Sequence, residues 1–133
     1  MSPLRTGIDL IEISRLETLN PAIRERFLQR VYTNAELEDC RGLPASLAGR
    51  FAAKEAVVKA LGCGIGPVSW REIEIKRGEQ GEPMLELRGR ARKIADEQGL
   101  VNWSISISHS REYAVAVAVA TTAPGNHLTS SNS

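Results

Sequence analysis

The stretch LAGRFAAKEAVVKAL, Leu47–Leu61, predicts a long α-helix around which the rest of the fold can be arranged. Its larger apolar residues recur at helical spacing and define one apolar stripe: Leu47, Phe51, Val58 and Leu61. Gly62 follows directly, in the position where glycine commonly ends a helix. Lys54 falls within the stripe, so we expect its ammonium either to reach water along its aliphatic stem or to meet a buried carboxylate or phosphate.

Alternating apolar residues on both sides of this helix predict β-strands. One strand precedes the helix, and a hairpin with a Gly78/Gly81 turn and two longer alternating runs follow it: Thr6–Ile13, Trp70–Arg77, Met84–Leu87, Val101–Ser108 and Tyr113–Ala120. A polar helix, Gly89–Gln98, separates the hairpin from the last two strands. Because strands paired in hairpins favour antiparallel sheets, we predict an α+β fold with a mostly antiparallel sheet packed on one long helix.

Capping signals predict shorter helices between the first strand and the long helix. Ser14 is a candidate N-cap for a helix from Arg15, which we expect to break or restart at Asn20-Pro21. Thr33 and Glu36 have the spacing of a capping box and predict the start of another short helix. The stretch Arg15–Arg30 is locally net basic, with four arginines against two glutamates, which an ordinary solvated helix can also have.

The last predicted strand, Tyr113–Ala120, alternates between alanine and valine. Successive side chains of a strand point to opposite faces, so one face carries the valines and the other carries the alanines. We expect the long helix to cover the valine face, and the flat alanine face to receive another helix or another subunit.

Length and composition indicate one soluble domain. The chain has 133 residues and a formal net charge of +1, which excludes a globally basic nucleic-acid-binding protein. Two cysteines are too few for a disulfide scaffold, and no apolar run approaches the ~20 residues that span a bilayer. We expect a cytoplasmic domain over residues 1–120, without a membrane partner, followed by a disordered polar tail over residues 121–133.

Four polar residues are candidates for chemistry. Glu55 and Lys59 lie four apart on the long helix, a spacing that an ordinary surface ion pair also has. Asp9 interrupts an apolar strand, where a carboxylate must face water, pair with a cation or bind a metal. Asp9 and Glu55 together could hold Mg²⁺, which takes one or two carboxylates besides water and substrate phosphate, although the spacing leaves open whether they meet. His109 follows a serine-rich strand and is either a loop histidine or a donor to a phosphate.

Three signatures, in order along the chain, resemble those of the bacterial holo-acyl-carrier-protein synthases, the short single-domain 4′-phosphopantetheinyl transferases: Gly7–Ile13 (GIDLIEI), Gly49–Gly62 (GRFAAKEAVVKALG) and Ser106–Ser110 (SISHS). The resemblance covers about residues 4–120 and implies the 4′-phosphopantetheinyl transferase fold. It also implies a Mg²⁺-dependent transfer of the 4′-phosphopantetheine arm of coenzyme A to a serine of apo acyl carrier protein. The other product is adenosine 3′,5′-bisphosphate, and the pathway served is fatty acid biosynthesis.

The same resemblance implies roles for individual residues. Asp9 and Glu55 are implied to bind Mg²⁺, and Glu55, directly or through a metal-bound water, to take the proton of the acceptor serine. Lys59 joins these two as a catalytic residue. A larger set is implied to contact coenzyme A: Arg50, Lys54, Lys59, Gly62, Gly64, Pro83, Ser108 and His109.

Partner contacts are implied as well. Acyl carrier proteins are strongly acidic, and a basic helix would steer and orient such a partner. The residues that match the family best here are Arg15, Arg24, Arg26 and Phe27. Members of the family are typically homotrimers with active sites between subunits, which the alanine face of the last strand would fit.

Two other functions fit the same residues. One is a Mg²⁺-dependent hydrolase of nucleotide pyrophosphates that uses Asp9 and Glu55, and it would cleave coenzyme A without any carrier protein. The other is a non-catalytic module whose binding to a carrier protein ignores Mg²⁺ and coenzyme A. The sequence leaves open which carrier protein is the acceptor and whether acylated coenzyme A is tolerated.

Overall fold

The computed structural model describes residues 3–122 as helices packed on antiparallel strands. The strands are β1 (Leu4–Glu12), β2 (Ile73–Arg77), β3 (Pro83–Leu87), β4 (Leu100–His109) and β5 (Tyr113–Thr122). The helices are α1 (Ser14–Glu17), α2 (Pro21–Val31), α3 (Asn34–Cys40), α4 (Pro44–Leu61) and α5 (Gly89–Glu97), with a short 3-10 helix at Trp70–Glu72. No helix in this part of the chain has both the length and the hydrophobicity that crossing a membrane requires.

The described strands form two antiparallel sheets. In the larger sheet the order is β1-β5-β4, so β5 is central, and the smaller sheet pairs β2 with β3. The register places Ala116 of β5 between Asp9 of β1 and Ile107 of β4. The prediction of an α+β fold with a mostly antiparallel sheet on one long helix is confirmed.

Helix α4 crosses β1 at very close range, and Gly7 makes this possible. A Cβ atom at Gly7 would overlap the carbonyl oxygen of Ala56 and lie 2.9 Å from the main-chain nitrogen of Ala60. Both atoms belong to the main chain of α4, which cannot rotate away as a side chain can. Glycine is therefore required at this crossing, and it sets the height of α4 above the sheet.

Helix α4 is buried around most of its circumference and not along the single predicted stripe. Its buried residues include Arg50 and Lys54 besides the apolar ones. The cause is its central place, because α4 packs on β1, β5 and β4 and also contacts β2, α1 and α3. The helix begins at Pro44, earlier than predicted, and Gly62 ends it as predicted, with a left-handed φ of 74°.

The structure reverses the predicted faces of β5. The alanines of this strand are buried on the side where α4 packs, and the valines lie half-buried on the other side. Small side chains are needed where α4 approaches the sheet, since valines there would hold the helix away. The valine side continues onto β1 and forms what we call the open sheet face: Ile8, Leu10, Val115, Val117 and Val119. Its β1 residues are the most exposed, Ile8 at 59% and Leu10 at 61%.

Two of the three predicted signals at helix starts are confirmed, namely the restart at Asn20-Pro21 and the capping box at Thr33. Asn20 caps α2, its side chain accepting a hydrogen bond from the Ala22 nitrogen at 2.9 Å, so the helix restarts at Pro21. Thr33 and Glu36 form the predicted capping box of α3. Ser14, in contrast, is the first residue of α1 and makes no side-chain cap.

Among the predicted boundaries that change are the start of β2 and the end of β5. The residues before Ile73 form the 3-10 helix and not part of the strand, because the Glu72 carboxylate turns back to accept from the Ser69 nitrogen at 2.8 Å. Strand β5 continues through Thr121 and Thr122, where a disordered tail was predicted to begin. The rest of that predicted tail, residues 123–133, lies outside the described residues.

Candidate active site

Asp9 and Lys59 meet at the β1 edge of the larger sheet. The Asp9 side chain shares a face of β1 with Gly7, toward α4, and is 14% exposed. Lys59, in the last turn of α4, donates from Nζ to Asp9 Oδ1 at 3.1 Å and to the Ile8 carbonyl at 2.8 Å. The close crossing at Gly7 is what brings the end of α4 within reach of this strand.

Glu55 lies one helical turn before Lys59 and is half-buried. Burial raises the pKa of its carboxyl, and the nearby Asp9 carboxylate raises this pKa further, against the smaller opposing effects of Lys59 and Arg15. Asp9, Lys59 and Arg15 therefore all lie close enough to Glu55 to change its pKa. A carboxylate with a raised pKa beside a second carboxylate is suited to accept a proton or to draw a cation.

The residues predicted to bind a carrier protein lie on the two helices that follow β1. Arg15 is on α1 and acts on Glu55 electrostatically, whereas Arg24, Arg26 and Phe27 are on α2. Arg26 is exposed, and Arg24 and Phe27 are half-buried. The Phe27 ring meets the ring of Phe51 on α4 edge-on, with centroids 5.3 Å apart. The basic surface of α2 is thus joined by direct packing to the helix that carries Glu55, and its role toward a carrier protein stays a prediction.

Lys54 is fully buried and bound by the protein itself. Its Nζ lies 2.8 Å from Glu36 Oε1 and donates to the Trp70 carbonyl at 3.1 Å and to the Ile73 carbonyl at 2.6 Å. These partners match all three ammonium donors, so the structure offers no support for the predicted contact of Lys54 with coenzyme A, which stays a prediction. The alternative of a buried carboxylate partner is confirmed. Burial lowers the pKa of Lys54, and the attraction of Glu36 offsets only part of that effect.

Glu36 has a structural role that its capping-box spacing did not reveal. Besides Lys54, its Oε1 accepts from the Thr33 nitrogen at 2.9 Å and its Oε2 from the Ile75 nitrogen at 2.8 Å. One buried carboxylate thereby joins α3, α4 and β2. A buried lysine and a cap glutamate were both visible in the sequence, but no spacing linked them.

Arg50 is also largely committed to protein partners. Its Nε donates to the Ile75 carbonyl at 3.3 Å, and its Nη2 lies 3.5 Å from Asp39 Oδ2. The side chain is 10% exposed, so one end of the guanidinium still borders the surface. Its predicted contact with coenzyme A stays a prediction.

His109 and Ser108 lie away from the acidic pair within the chain. They end β4, the edge of the larger sheet opposite to β1. Ser108 is exposed on the same side as Val115, whereas His109 borders an open cleft of about 430 Å³ beside the start of α4. One chain therefore does not bring the predicted histidine to Asp9 and Glu55.

The predicted coenzyme A loop starts where α4 ends. Gly62 and Gly64 both have left-handed φ angles, 74° and 69°, and no atom lies within 4 Å of a Cβ built at Gly64. This leaves open space beside the loop. Pro83 begins β3 in the smaller sheet, opposite Arg77. The contacts of Gly62, Gly64 and Pro83 with coenzyme A stay predictions.

Arg5 and Gln98 fix the start of this loop and were not singled out from the sequence. Arg5 Nη1 donates to Gln98 Oε1 at 2.5 Å, and Gln98 Nε2 donates to the Leu61 carbonyl at 2.8 Å. A Cβ at Gly62 would lie 2.6 Å from Arg5 Nη2. The pair caps the carboxyl end of α4 through tertiary contacts, which no local sequence signal announces.

Fold and site together define a class: an α+β protein whose paired carboxylates and neighbouring cations suit a phosphate-containing substrate. The family model of the 4′-phosphopantetheinyl transferase superfamily matches residues 5–118. The chain therefore belongs to this family, and the resemblance seen in the sequence is confirmed.

Relatives over nearly the full length agree. A holo-[acyl-carrier-protein] synthase of Moorella thermoacetica is 52% identical over 119 residues, which cover 87% of this chain and 92% of the relative. One of Herpetosiphon aurantiacus is 46% identical over 123 residues, 87% of this chain and 97% of the relative.

Solved structures agree in fold. The Helicobacter pylori holo-[acyl-carrier-protein] synthase in complex with coenzyme A matches with a TM-score of 0.79 and 34% identity, covering 87% of this chain and 99% of that one. The Bacillus anthracis holo-(acyl-carrier-protein) synthase in complex with CoA (3′,5′-ADP) matches with a TM-score of 0.72 and 36% identity, covering 90% and 96%.

Proposed function

We propose that this protein is a holo-[acyl-carrier-protein] synthase. It transfers the 4′-phosphopantetheine group of coenzyme A to a serine of apo acyl carrier protein, giving the holo carrier and adenosine 3′,5′-bisphosphate. The observation that carries the proposal is that Asp9 contacts Lys59 and acts electrostatically on Glu55, in a chain of this family. Solved relatives that hold coenzyme A support the choice of donor.

Glu55 is the proposed base for the acceptor serine, acting directly or through a water. A raised pKa makes its carboxylate a stronger base. The serine oxygen bonds to the β-phosphorus of coenzyme A, and the bridging oxygen leaves with adenosine 3′,5′-bisphosphate. Because negative charge grows on that bridging oxygen, cations fixed nearby favour the transition state, and Lys59 is the proposed cation of this chain.

Asp9 and Glu55 are the proposed ligands of Mg²⁺. They supply oxygen donors, and they lie close enough for Asp9 to raise the pKa of Glu55, as two carboxylates sharing a cation should. Residues 3–122 contain no group of three or more side chains that could hold a metal. A pair is enough for Mg²⁺, which keeps water and substrate phosphate as its other ligands. The bound ion would neutralise charge on the pyrophosphate.

The remaining predicted contacts form the proposed coenzyme A site. Lys59 and His109 face its phosphates, and the loop from Gly62 to Gly64, with Pro83, borders its nucleotide. Arg50 and Ser108 are retained, and Lys54 stays a prediction without support, because its donors have partners inside the protein.

We propose that the protein assembles as a homotrimer with active sites between subunits. His109 lies two strands across and two residues along from Asp9 in the sheet register, about 12 Å by strand spacing. A neighbouring copy could bring its own His109 to this pair. The open sheet face supplies an apolar contact surface, and a closed cyclic assembly would cover it on every subunit.

The trimer is tested on the open sheet face and not on the alanines of β5. Val117→Glu should dissociate the assembly in light scattering and lower transfer, although Asp9 and Glu55 are untouched. Val101→Glu is the matched control, because Val101 is 54% exposed and lies outside that face. A wild-type mass of one chain with full activity would contradict the proposal. Charged residues at Ala116 or Ala118, which are buried, would disturb the core instead.

We further propose a cytoplasmic location and a role in fatty acid biosynthesis. The acidic acyl carrier protein of that pathway would be the acceptor. The basic residues of α1 and α2 support this partner by charge complementarity.

The reaction is tested by intact-mass spectrometry of an apo carrier protein incubated with this protein, coenzyme A and MgCl₂. The expected result is a gain equal to one 4′-phosphopantetheine group, absent when EDTA replaces MgCl₂. Release of phosphopantetheine from coenzyme A without any carrier would indicate a hydrolase. Carrier binding without any mass gain, across several carriers, would indicate a non-catalytic binding module.

A further inference from the structure

Trp70 stands at a junction that neither the proposed reaction nor the proposed partner contacts use. Its main chain belongs to the 3-10 helix, and its carbonyl accepts a hydrogen bond from the buried ammonium of Lys54 at 3.1 Å. Lys54 is also fixed by Glu36 and by the Ile73 carbonyl. The main chain of Trp70 is therefore bound to α4 by the Lys54 ammonium, whose three donors all have fixed partners.

The side chain of Trp70 continues a row of aromatic rings. The Trp70 and Phe51 rings have centroids 5.1 Å apart at 64°, and the Phe51 and Phe27 rings have centroids 5.3 Å apart at 80°. Both are edge-to-face contacts, which fix orientation as well as distance. The row runs from the 3-10 helix across α4 to α2, and Phe27 is one of the residues on α2 proposed to contact the carrier protein.

Trp70 is not simply a residue of the core. It is half-buried, and it borders an open cleft of about 270 Å³ together with Arg30 of α2 and Ile65 of the glycine-rich loop. A smaller apolar side chain could fill the contact with Phe51 only in part. Phe51 would then be free to tilt, and Phe27 with it.

We propose that Trp70 is a positioning residue for carrier-protein docking: held by Lys54, it orients Phe51 and through it Phe27 on α2. The proposal rests on the proposed function, and within that function it assigns a role to a side chain that need not touch the carrier protein or coenzyme A. Its effect is on the affinity for the carrier protein.

The test measures KM for the apo carrier protein and for coenzyme A separately. Trp70→Leu should raise the KM for carrier by about three- to tenfold, the scale of one aromatic pair. The KM for coenzyme A and kcat should stay within about twofold on the same scale. Trp70→Phe, which keeps a ring in the row, should restore most of the affinity and serves if Trp70→Leu folds poorly.

Trp103→Leu is the matched control. Trp103 is the other tryptophan of the chain, is likewise half-buried, and lies on β4 beside Leu100 and Ala95, apart from the aromatic row. Its replacement should lower thermal stability to a similar degree and leave both KM values unchanged. An equal rise in the carrier KM for Trp103→Leu and Trp70→Leu would show a general loss of structure and overturn the proposal.

A double-mutant cycle separates positioning from an independent contact. If Trp70 acts through Phe27, Trp70→Leu should have no further effect on the carrier KM in a Phe27→Leu background. Additive effects, or a coenzyme A KM that rises as much as the carrier KM, would overturn the inference. Wild-type transfer to the carrier is measured first: its absence would contradict the proposed function, whereas normal transfer with an unchanged Trp70→Leu variant would contradict only the role of Trp70.

Discussion

Gly7→Ala is the sharpest test of how the fold builds the site. The new Cβ would overlap the Ala56 carbonyl oxygen and lie 2.9 Å from the Ala60 nitrogen. Overpacking costs about 1–3 kcal/mol, and we expect about 3 kcal/mol because main-chain atoms cannot move aside by changing rotamer. Alanine also restricts the unfolded chain more than glycine does, and this effect stabilises the folded state by about 0.4–1 kcal/mol. The net loss of about 2 kcal/mol corresponds to a fall in Tm of roughly 8 °C for a domain of this size.

The same change should also slow the reaction in molecules that remain folded. To relieve the overlap, β1 must move away from α4, and Asp9 on β1 then moves relative to Glu55 and Lys59 on α4. A displacement of about 1 Å at a reacting centre can cost about a hundredfold in rate. The assay is run about 20 °C below the Tm of the mutant, where the mutant is folded. We expect it to transfer phosphopantetheine about a hundred times more slowly than the wild type at saturating substrates.

Two other glycines supply graded controls for stability. A Cβ at Gly49 would lie 2.9 Å from Ile107 Cγ2, a side-chain atom that can shift, so Gly49→Ala should cost less than Gly7→Ala. A Cβ at Gly66 would meet no atom within 4 Å, so Gly66→Ala should leave Tm nearly unchanged. Tm is measured by circular dichroism and transfer by intact mass. Wild-type stability and rate in Gly7→Ala would refute the argument that this crossing positions the site.

Three further outcomes follow from the site and its surroundings. Asp9→Ala and Glu55→Ala should each abolish transfer with the circular dichroism spectrum retained, because each removes one of two proposed Mg²⁺ ligands; near-native turnover would contradict the pair. Asp9→Asn should lower the pKa of Glu55 in an NMR titration, because the Asp9 charge raises it; no change would mean the carboxylates do not interact. Glu36→Ala should destabilise the protein by about 3–5 kcal/mol in urea unfolding, because it leaves the buried Lys54 ammonium unpaired; a loss under 1 kcal/mol would refute the buried pair.

The sign of the pH dependence of Glu55 also follows from its environment. Its pKa is raised in the folded state, so the folded protein binds more protons than the unfolded chain between the ordinary and the raised pKa. Stability should therefore fall as pH rises through this interval, while the ionised base needed for transfer becomes more abundant. The ionised form of Glu55, which the proposed reaction needs, therefore lowers the stability of the folded state.

Local sequence signals predicted the helices and strands well, whereas the pairing of distant side chains depended on tertiary contacts. The alternation of β4 and β5, the capping box at Thr33 and the terminal Gly62 each follow from spacing along a few residues, and the structure has them. The partner of Lys54 could not be predicted, because Glu36 is distant in sequence and the ion pair exists only once α3 and α4 pack together. For the same reason, spacing could not show that Asp9 meets Lys59 or that His109 lies at the opposite edge of the sheet.

The reversed faces of β5 show how one pattern can serve both the site and the assembly. Period-two alternation predicts two faces but not which of them receives the helix, since both alanine and valine are apolar. The choice depends on α4, which must come close enough to β1 for Lys59 to reach Asp9, and only the alanine face of β5 permits that approach. The valines then remain on the open sheet face, beside Ile8 and Leu10. The alanines thereby hold the proposed catalytic groups in place within a subunit, and the valines are left for the contact between subunits that we propose.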